Sequence, residues 1–135
     1  MGKLQDFLMN EYDAAPVQTE VNIKGFPFPF IVRSINQEQN KIIEASCRKV
    51  SFNKKTHQKE VETDQALYST RLIAECTVEP NFKDAELQKR FGVIGAEALI
   101  EKIFVSGGYA DLLRAVSEIN GFGTDINDLV EQAKN

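Results

Sequence analysis

The chain is short of the residues from which most catalytic and metal centres are built. Among 135 residues it has no tryptophan, one histidine (His57) and two cysteines (Cys47 and Cys76). A histidine relay needs a nucleophile beside the ring, and His57 lies in the wholly polar run Asn53-Lys54-Lys55-Thr56-His57-Gln58-Lys59, where a solvated surface residue is expected. Zinc needs three or four thiolate or imidazole ligands, which one histidine and two separated cysteines do not supply. The glycine pairs fit neither GxGxxG nor GxxxxGK, so Gly107-Gly108 and Gly121-Phe122-Gly123 read as helix caps, not phosphate loops. No carboxylate pair stands out from the solvated acids, and no cofactor is expected. The chain reads as non-enzymatic.

Other shortages narrow the compartment and the ligand. No apolar run approaches the roughly 20 residues that cross a bilayer, and Met1-Gly2-Lys3-Leu4-Gln5-Asp6 has no signal-like apolar core. No membrane association is therefore expected, and the two thiols should be reduced and buried. Lysine and arginine number 16 against 20 aspartates and glutamates, giving a net charge of -4. A nucleic-acid ligand would call for the opposite balance.

What is present suits one domain with one core: 42% hydrophobic and 27% charged residues in a chain of ordinary domain length. Residues 1–16 read as a short amphipathic helix (Leu4, Phe7, Leu8) and a loop. Val17, Thr19, Val21 and Ile23 alternate with polar residues, Lys24-Gly25 makes a turn, and Phe30–Arg33 returns, so 17–33 reads as a hairpin. Residues 34–122 read as a helical body. Ser34 and Gln37 form a capping box for a helix reaching about Arg48 and burying Ile42, Ile43 and Cys47. Residues 48–63, with Val50 and Phe52 alternating, read as a small hairpin or exposed loop. Thr63 or Asp64 caps a second helix, carrying Leu67, Leu72, Ile73 and Cys76 inward, that ends near Glu79 before Pro80. A short helix follows from Asp84 to Gly92, then helices over Ala96–Val105 and up to Asn120-Gly121. Residues 123–135 read as a last helix capped by Thr124. The fold class is α+β, a predominantly helical single domain with an N-terminal β-hairpin.

Two features bear on binding. Arg48, Lys49, Lys54, Lys55 and Lys59 form a run without an acid, followed over 60–86 by seven acids against Arg71 and Lys83. A solvated hairpin tip or electrostatic steering of a partner would each produce it. Phe26-Pro27-Phe28-Pro29-Phe30 cannot be a central strand, because proline donates nothing to a ladder. Folded inward it supplies core; exposed, it is a docking patch.

The second half carries an ordered series: Val78-Glu79-Pro80-Asn81-Phe82, Ala85-Glu86-Leu87-Gln88, Phe91-Gly92-Val93, Ala96 to Phe104, Gly107-Gly108-Tyr109, and Glu118-Ile119-Asn120-Gly121-Phe122. In order and spacing over about 64–122 it resembles the XkdN-like tail assembly chaperones of tailed phages and prophages. It departs where Tyr109 follows Gly108, since the family pattern has glutamate there. The resemblance implies an assembly factor in the host cytoplasm, absent from the mature virion, that binds the tape measure protein and keeps it soluble and extended. The tail tube protein is a secondary partner, and self-association fits the need for repeated copies. The alternative is a structural tail or baseplate component. If a groove takes the partner's apolar helix, Phe26, Phe28, Phe30, Leu99, Ile103 and Phe104 are the candidate protein-binding residues.

Overall fold

The computed structural model describes residues 2–122, so the helix expected over 123–135 lies outside the described residues. The fold is α+β with one core. In chain order the elements are α1 (Lys3–Asn10), β1 (Gln18–Val21), β2 (Phe30–Arg33), α2 (Gln37–Ser46), β3 (Arg48–Asn53), β4 (Gln58–Thr63), α3 (Gln65–Cys76), β5 (Thr77–Glu79), α4 (Ala85–Arg90), α5 (Ala96–Ile103) and α6 (Ser106–Ile119). A three-stranded antiparallel sheet has the order β1-β2-β5, and β3 and β4 pair separately.

The core lies between the central strand and the long helices. On β2, Phe30 and Val32 point inward while their neighbours Ile31 and Arg33 are half-buried. Against them pack Leu72 and Ile73 of α3, Leu99 and Ile100 of α5, and Leu112, Leu113 and Val116 of α6, all fully buried. In α6 the spacing of three and four residues from Leu113 and Leu112 to Val116 places these side chains on one stripe.

Four local readings are corrected. The strands are not all N-terminal: α3 stops at Cys76, and Thr77–Glu79 turn extended to pair with β2. Two β-branched residues followed by a pre-proline residue favour that exit from the helix. The capping box of α2 sits two residues later than expected. Asn36 accepts from the Gln39 amide at 2.8 Å while Gln39 accepts from the Asn36 amide at 3.1 Å. Ser34 is taken: its hydroxyl accepts from the Val17 amide and its own amide donates to the Val17 carbonyl. The shifted start turns Ile42 outward and gives the inner face of α2 to Asn40, Ile43 and Cys47. Lastly, Gly107 and Gly108 are not a break or a cap, but lie in the first turn of α6. A Cβ at Gly108 would sit 3.4 Å from Phe104 Cδ1 and 3.5 Å from Ile23 Cγ2, so glycine lets α6 start flush against those side chains.

Candidate partner-binding surfaces

Phe104, just past α5, is the hub of an aromatic cluster. Its ring lies 5.5 Å from Phe26, 5.7 Å from Phe30 and 6.1 Å from Phe82, with Phe26 and Phe30 edge-to-face at 5.0 Å. Of the sequence-derived candidates, Phe30 and Leu99 are core, and Ile103 and Phe104 are half-buried beneath their neighbours. Leu99 faces inward because α5 packs against α3. The Phe-Pro-Phe-Pro-Phe segment divides: Phe30 joins the core, Phe26 lies over the cluster at 37% exposure, and Phe28 stands out at 77%. Bends at Pro27 and Phe28 break the extended geometry that would have aligned the three rings.

Two further apolar faces are open. Alternation in the β3–β4 arm puts Val50, Phe52 and Val61 on one face, with Val50 directly opposite Val61, and all three more than half exposed. The other face is polar and internally paired: Lys49 meets Glu62 at 3.8 Å, and the Asn53 amide donates to Glu60 at 2.8 Å. The arm settles the hairpin-or-loop reading of 48–63 as a hairpin, with His57 exposed at its tip. Helix α1 buries no residue, and Leu4, Phe7 and Leu8 are exposed along one side. The sequence showed these apolar periods but gave no sign that the other described residues would leave them exposed.

A cleft of about 310 Å³ opens between α2, α3 and α5, floored by Ile43, Ala74 and Ala96. Its charges are already engaged. Arg71 pairs with Glu97 at 2.7 Å and donates to the Ser46 carbonyl at 2.6 Å, while Glu75 receives Lys83. The Arg71 hydrogen bond holds the Glu97 carboxyl below its ordinary value. Burial pushes the Cys76 thiol up to about 11 and the Tyr68 phenol up to about 12, so both stay protonated near neutrality. Among the described residues no group of three or more His, Cys, Asp or Glu is placed to hold a metal ion, and no helix is long and apolar enough to cross a membrane.

The ordered series of the second half is structural at every point where its contacts are seen. Phe91-Gly92-Val93 and Asn120-Gly121-Phe122 both close helices in the same way. Gly92 and Gly121, at φ +71° and +69°, donate to Lys89 and Glu118, while Val93 and Phe122 donate to Gln88 and Ser117. This is the Schellman pattern, which requires the left-handed residue. Gln88 donates to the Phe82 carbonyl and accepts from the Gly95 amide, tying α4 to the entry of α5. Asn120 accepts from the Ile35 amide and donates to Cys76 Sγ, locking the end of α6 to the β2–α2 link and to α3. Tyr109, where the family pattern has an acid, shares a 2.9 Å hydrogen bond with Thr70 of α3.

The model of the phage XkdN-like tail assembly chaperone family matches residues 4–134. The chain belongs to that family. Protein YqbN of Bacillus subtilis (strain 168) is 34% identical over 117 residues, covering 85% of this chain and 77% of its own length. The phage-like element PBSX protein XkdN of the same strain is 32% identical over 117 residues, covering 85% and 78%. The crystal structure of protein YqbN superposes with a TM-score of 0.67 at 26% identity, over 87% of this chain and 95% of that one. The XkdN-like match reaches far beyond the 64–122 stretch that carried the resemblance in the sequence.

Proposed function

We propose that this tail assembly chaperone is non-catalytic, binds the tape measure protein in the host cytoplasm, and keeps it soluble and extended until the tail tube forms around it. The observation that carries the reading is Phe28. A large aromatic ring stands three-quarters exposed on a base fixed by Phe26, Phe30 and Phe104. Holding a large aromatic ring exposed costs a protein solubility, and aromatic anchors are typical binding hot spots. Phe26 extends the patch at its edge. The net charge of -4 helps keep such a surface in solution.

Co-expression with the tape measure protein of the same gene cluster, followed by size-exclusion chromatography with light scattering, tests this directly. The expected result is a soluble complex with several copies of the chaperone per tape measure chain, where the tape measure alone aggregates. Phe28→Asp should lower affinity at least tenfold, about 1.4 kcal/mol or more, with unchanged circular dichroism. If wild type leaves the tape measure aggregated and is recovered in purified particles, the protein is a structural tail component instead. If Phe28→Asp binds as wild type does, the partner uses another surface.

A further inference from the structure

We infer that the groove between β1 and α6 takes an extended segment of a partner protein as a fourth strand, one that alternates apolar with basic residues. Among the described residues β1 is an edge of the three-stranded sheet, with β2 on one side and no strand on the other. The Ser34 amide donates to the Val17 carbonyl at 2.8 Å, and bonding alternates residue by residue along an antiparallel pair. Thr19 and Val21 therefore turn their backbone groups to β2, while Gln18 and Glu20 turn theirs to the open edge. An edge of this kind is the template on which an extended peptide adds.

What lies beside the edge decides the side chains of the added strand. Val21 stands opposite the buried Phe30 and Thr19 opposite the buried Val32, so both lie on the inner face of the sheet. There a groove of about 510 Å³ opens toward α6, with half-buried Val21, Ala115 and Ile119 as its apolar lining. Every second side chain of an added strand would drop onto that lining. The others would emerge on the outer face beside Glu20, which stands opposite Ile31.

The charges of the groove are of one sign. The two charged residues that line it, Glu20 and Glu118, are exposed, and neither forms an ion pair among the described residues. A segment bearing lysine or arginine neutralises them, whereas an acidic one meets like charge. This chain is a poor source of such a segment. Residues 123–135 hold three acids against one lysine, and β1 laid on β1 of a second copy would bring Glu20 towards Glu20. The inference does not depend on the tape measure reading, and no residue of the Phe28 patch lines the groove.

The test uses the full chain and two short labelled peptides of equal length, one alternating valine with lysine and one alternating valine with glutamate. By fluorescence anisotropy the valine–lysine peptide should reach half-saturation below about 1 mM, with the valine–glutamate peptide at least about fivefold weaker. Two N-methylated versions of the valine–lysine peptide each block one alternate set of amides. The version whose blocked amides face β1 should bind at least about tenfold more weakly, because the added ladder bonds are lost. Glu20→Lys and Glu118→Lys should each weaken binding by up to about fivefold, with circular dichroism as in wild type because both positions are exposed. Hydrogen exchange at the Gln18 and Glu20 amides should be fast in the dilute full chain and slowed by the valine–lysine peptide.

Four results would each overturn the inference. The first is a valine–lysine peptide that fails to saturate by that concentration, and the second is equal affinity for the two peptides. The third is unchanged binding of both N-methylated versions. The fourth is slow exchange at both amides before any peptide is added. Slow exchange at every protein concentration would assign the edge to the chain's own residues beyond Phe122, and slowing that grows with concentration would assign it to a second copy. None of these readouts involves Phe28, so tape measure binding is judged separately.

Discussion

The helical body and the two appendages are built from the same kinds of residue and put them to opposite use. In the body, Leu72, Ile73, Leu99, Ile100, Leu112, Leu113 and Val116 are fully buried around β2. In α1 and the β3–β4 arm, Leu4, Phe7, Val50, Phe52 and Val61 recur at equally regular spacing and remain open. Hydrophobic periodicity thus declares that a face will be covered, but not by what. Residues 64–122, which carried the family resemblance, belong mostly to the body, where they cap and staple helices. The apolar side chains left open in α1 and the β3–β4 arm lie in the first half, outside that signature.

The sharpest way to break this contrast is to remove one apolar side chain from each region. Leu72→Ala empties a site with no solvent access, and such truncations cost about 2–5 kcal/mol. Phe52→Ala removes a larger side chain from the arm, yet it should change stability by less than about 0.5 kcal/mol, because little burial is lost. Urea unfolding of dilute protein, below the range of any self-association, checks both. Comparable losses at the two positions would mean that the arm is part of the cooperative core.

A smaller effect separates two nearby polar residues that the sequence does not rank. Ser34 and Asn36 are both good helix caps, and each has glutamine three residues on. The structure gives the cap to Asn36 and the strand edge to Ser34. Asn36→Ala should cost about 1 kcal/mol, the usual value of a lost N-cap. Ser34→Ala, which frays one exposed bond to Val17, should cost less. The reverse order of unfolding midpoints would restore the earlier register for α2.

What could be read in advance follows from how local each signal is. The helices over 65–76, 96–103 and 106–119 and the Schellman glycines Gly92 and Gly121 depend on neighbours within a turn or two, and their chemistry is visible in the sequence. The outcome of β5 depends on Thr77 and Glu79 meeting β2 some 45 residues earlier, and a three-residue strand carries no period. The candidate site divided for the same reason. Phe26, Phe28 and Phe30 announced a special segment, but only the position of Phe104 decides that Phe30 goes in and Phe28 stays out. Leu99 and Phe104 looked equally suited to a groove or a core until α5 was placed against α3.

The smallest expected difference lies in the ion pairs. In the body, Arg71 and Glu97 meet at 2.7 Å, each about two-thirds covered. In the arm, Lys49 and Glu62 lie 3.8 Å apart with both side chains more than half exposed. Glu97 is held below its ordinary value of 4.5, chiefly by the Arg71 hydrogen bond. The unfolded chain therefore takes up the proton at higher pH than the native one. The pair's contribution is complete above that ordinary value and is lost as pH falls through the lowered one. Solvent screening limits the contribution to about 0.5 kcal/mol. Glu97→Gln should lower stability by that amount at neutral pH and flatten the acid limb of the stability profile below about pH 4.5. Glu62→Gln should leave the neutral midpoint unchanged, because an exposed, stretched pair has little Coulomb energy to lose. Urea midpoints at pH 7 and across the acid range distinguish the two variants. Equal shifts would show that the body and the arm screen their charges alike.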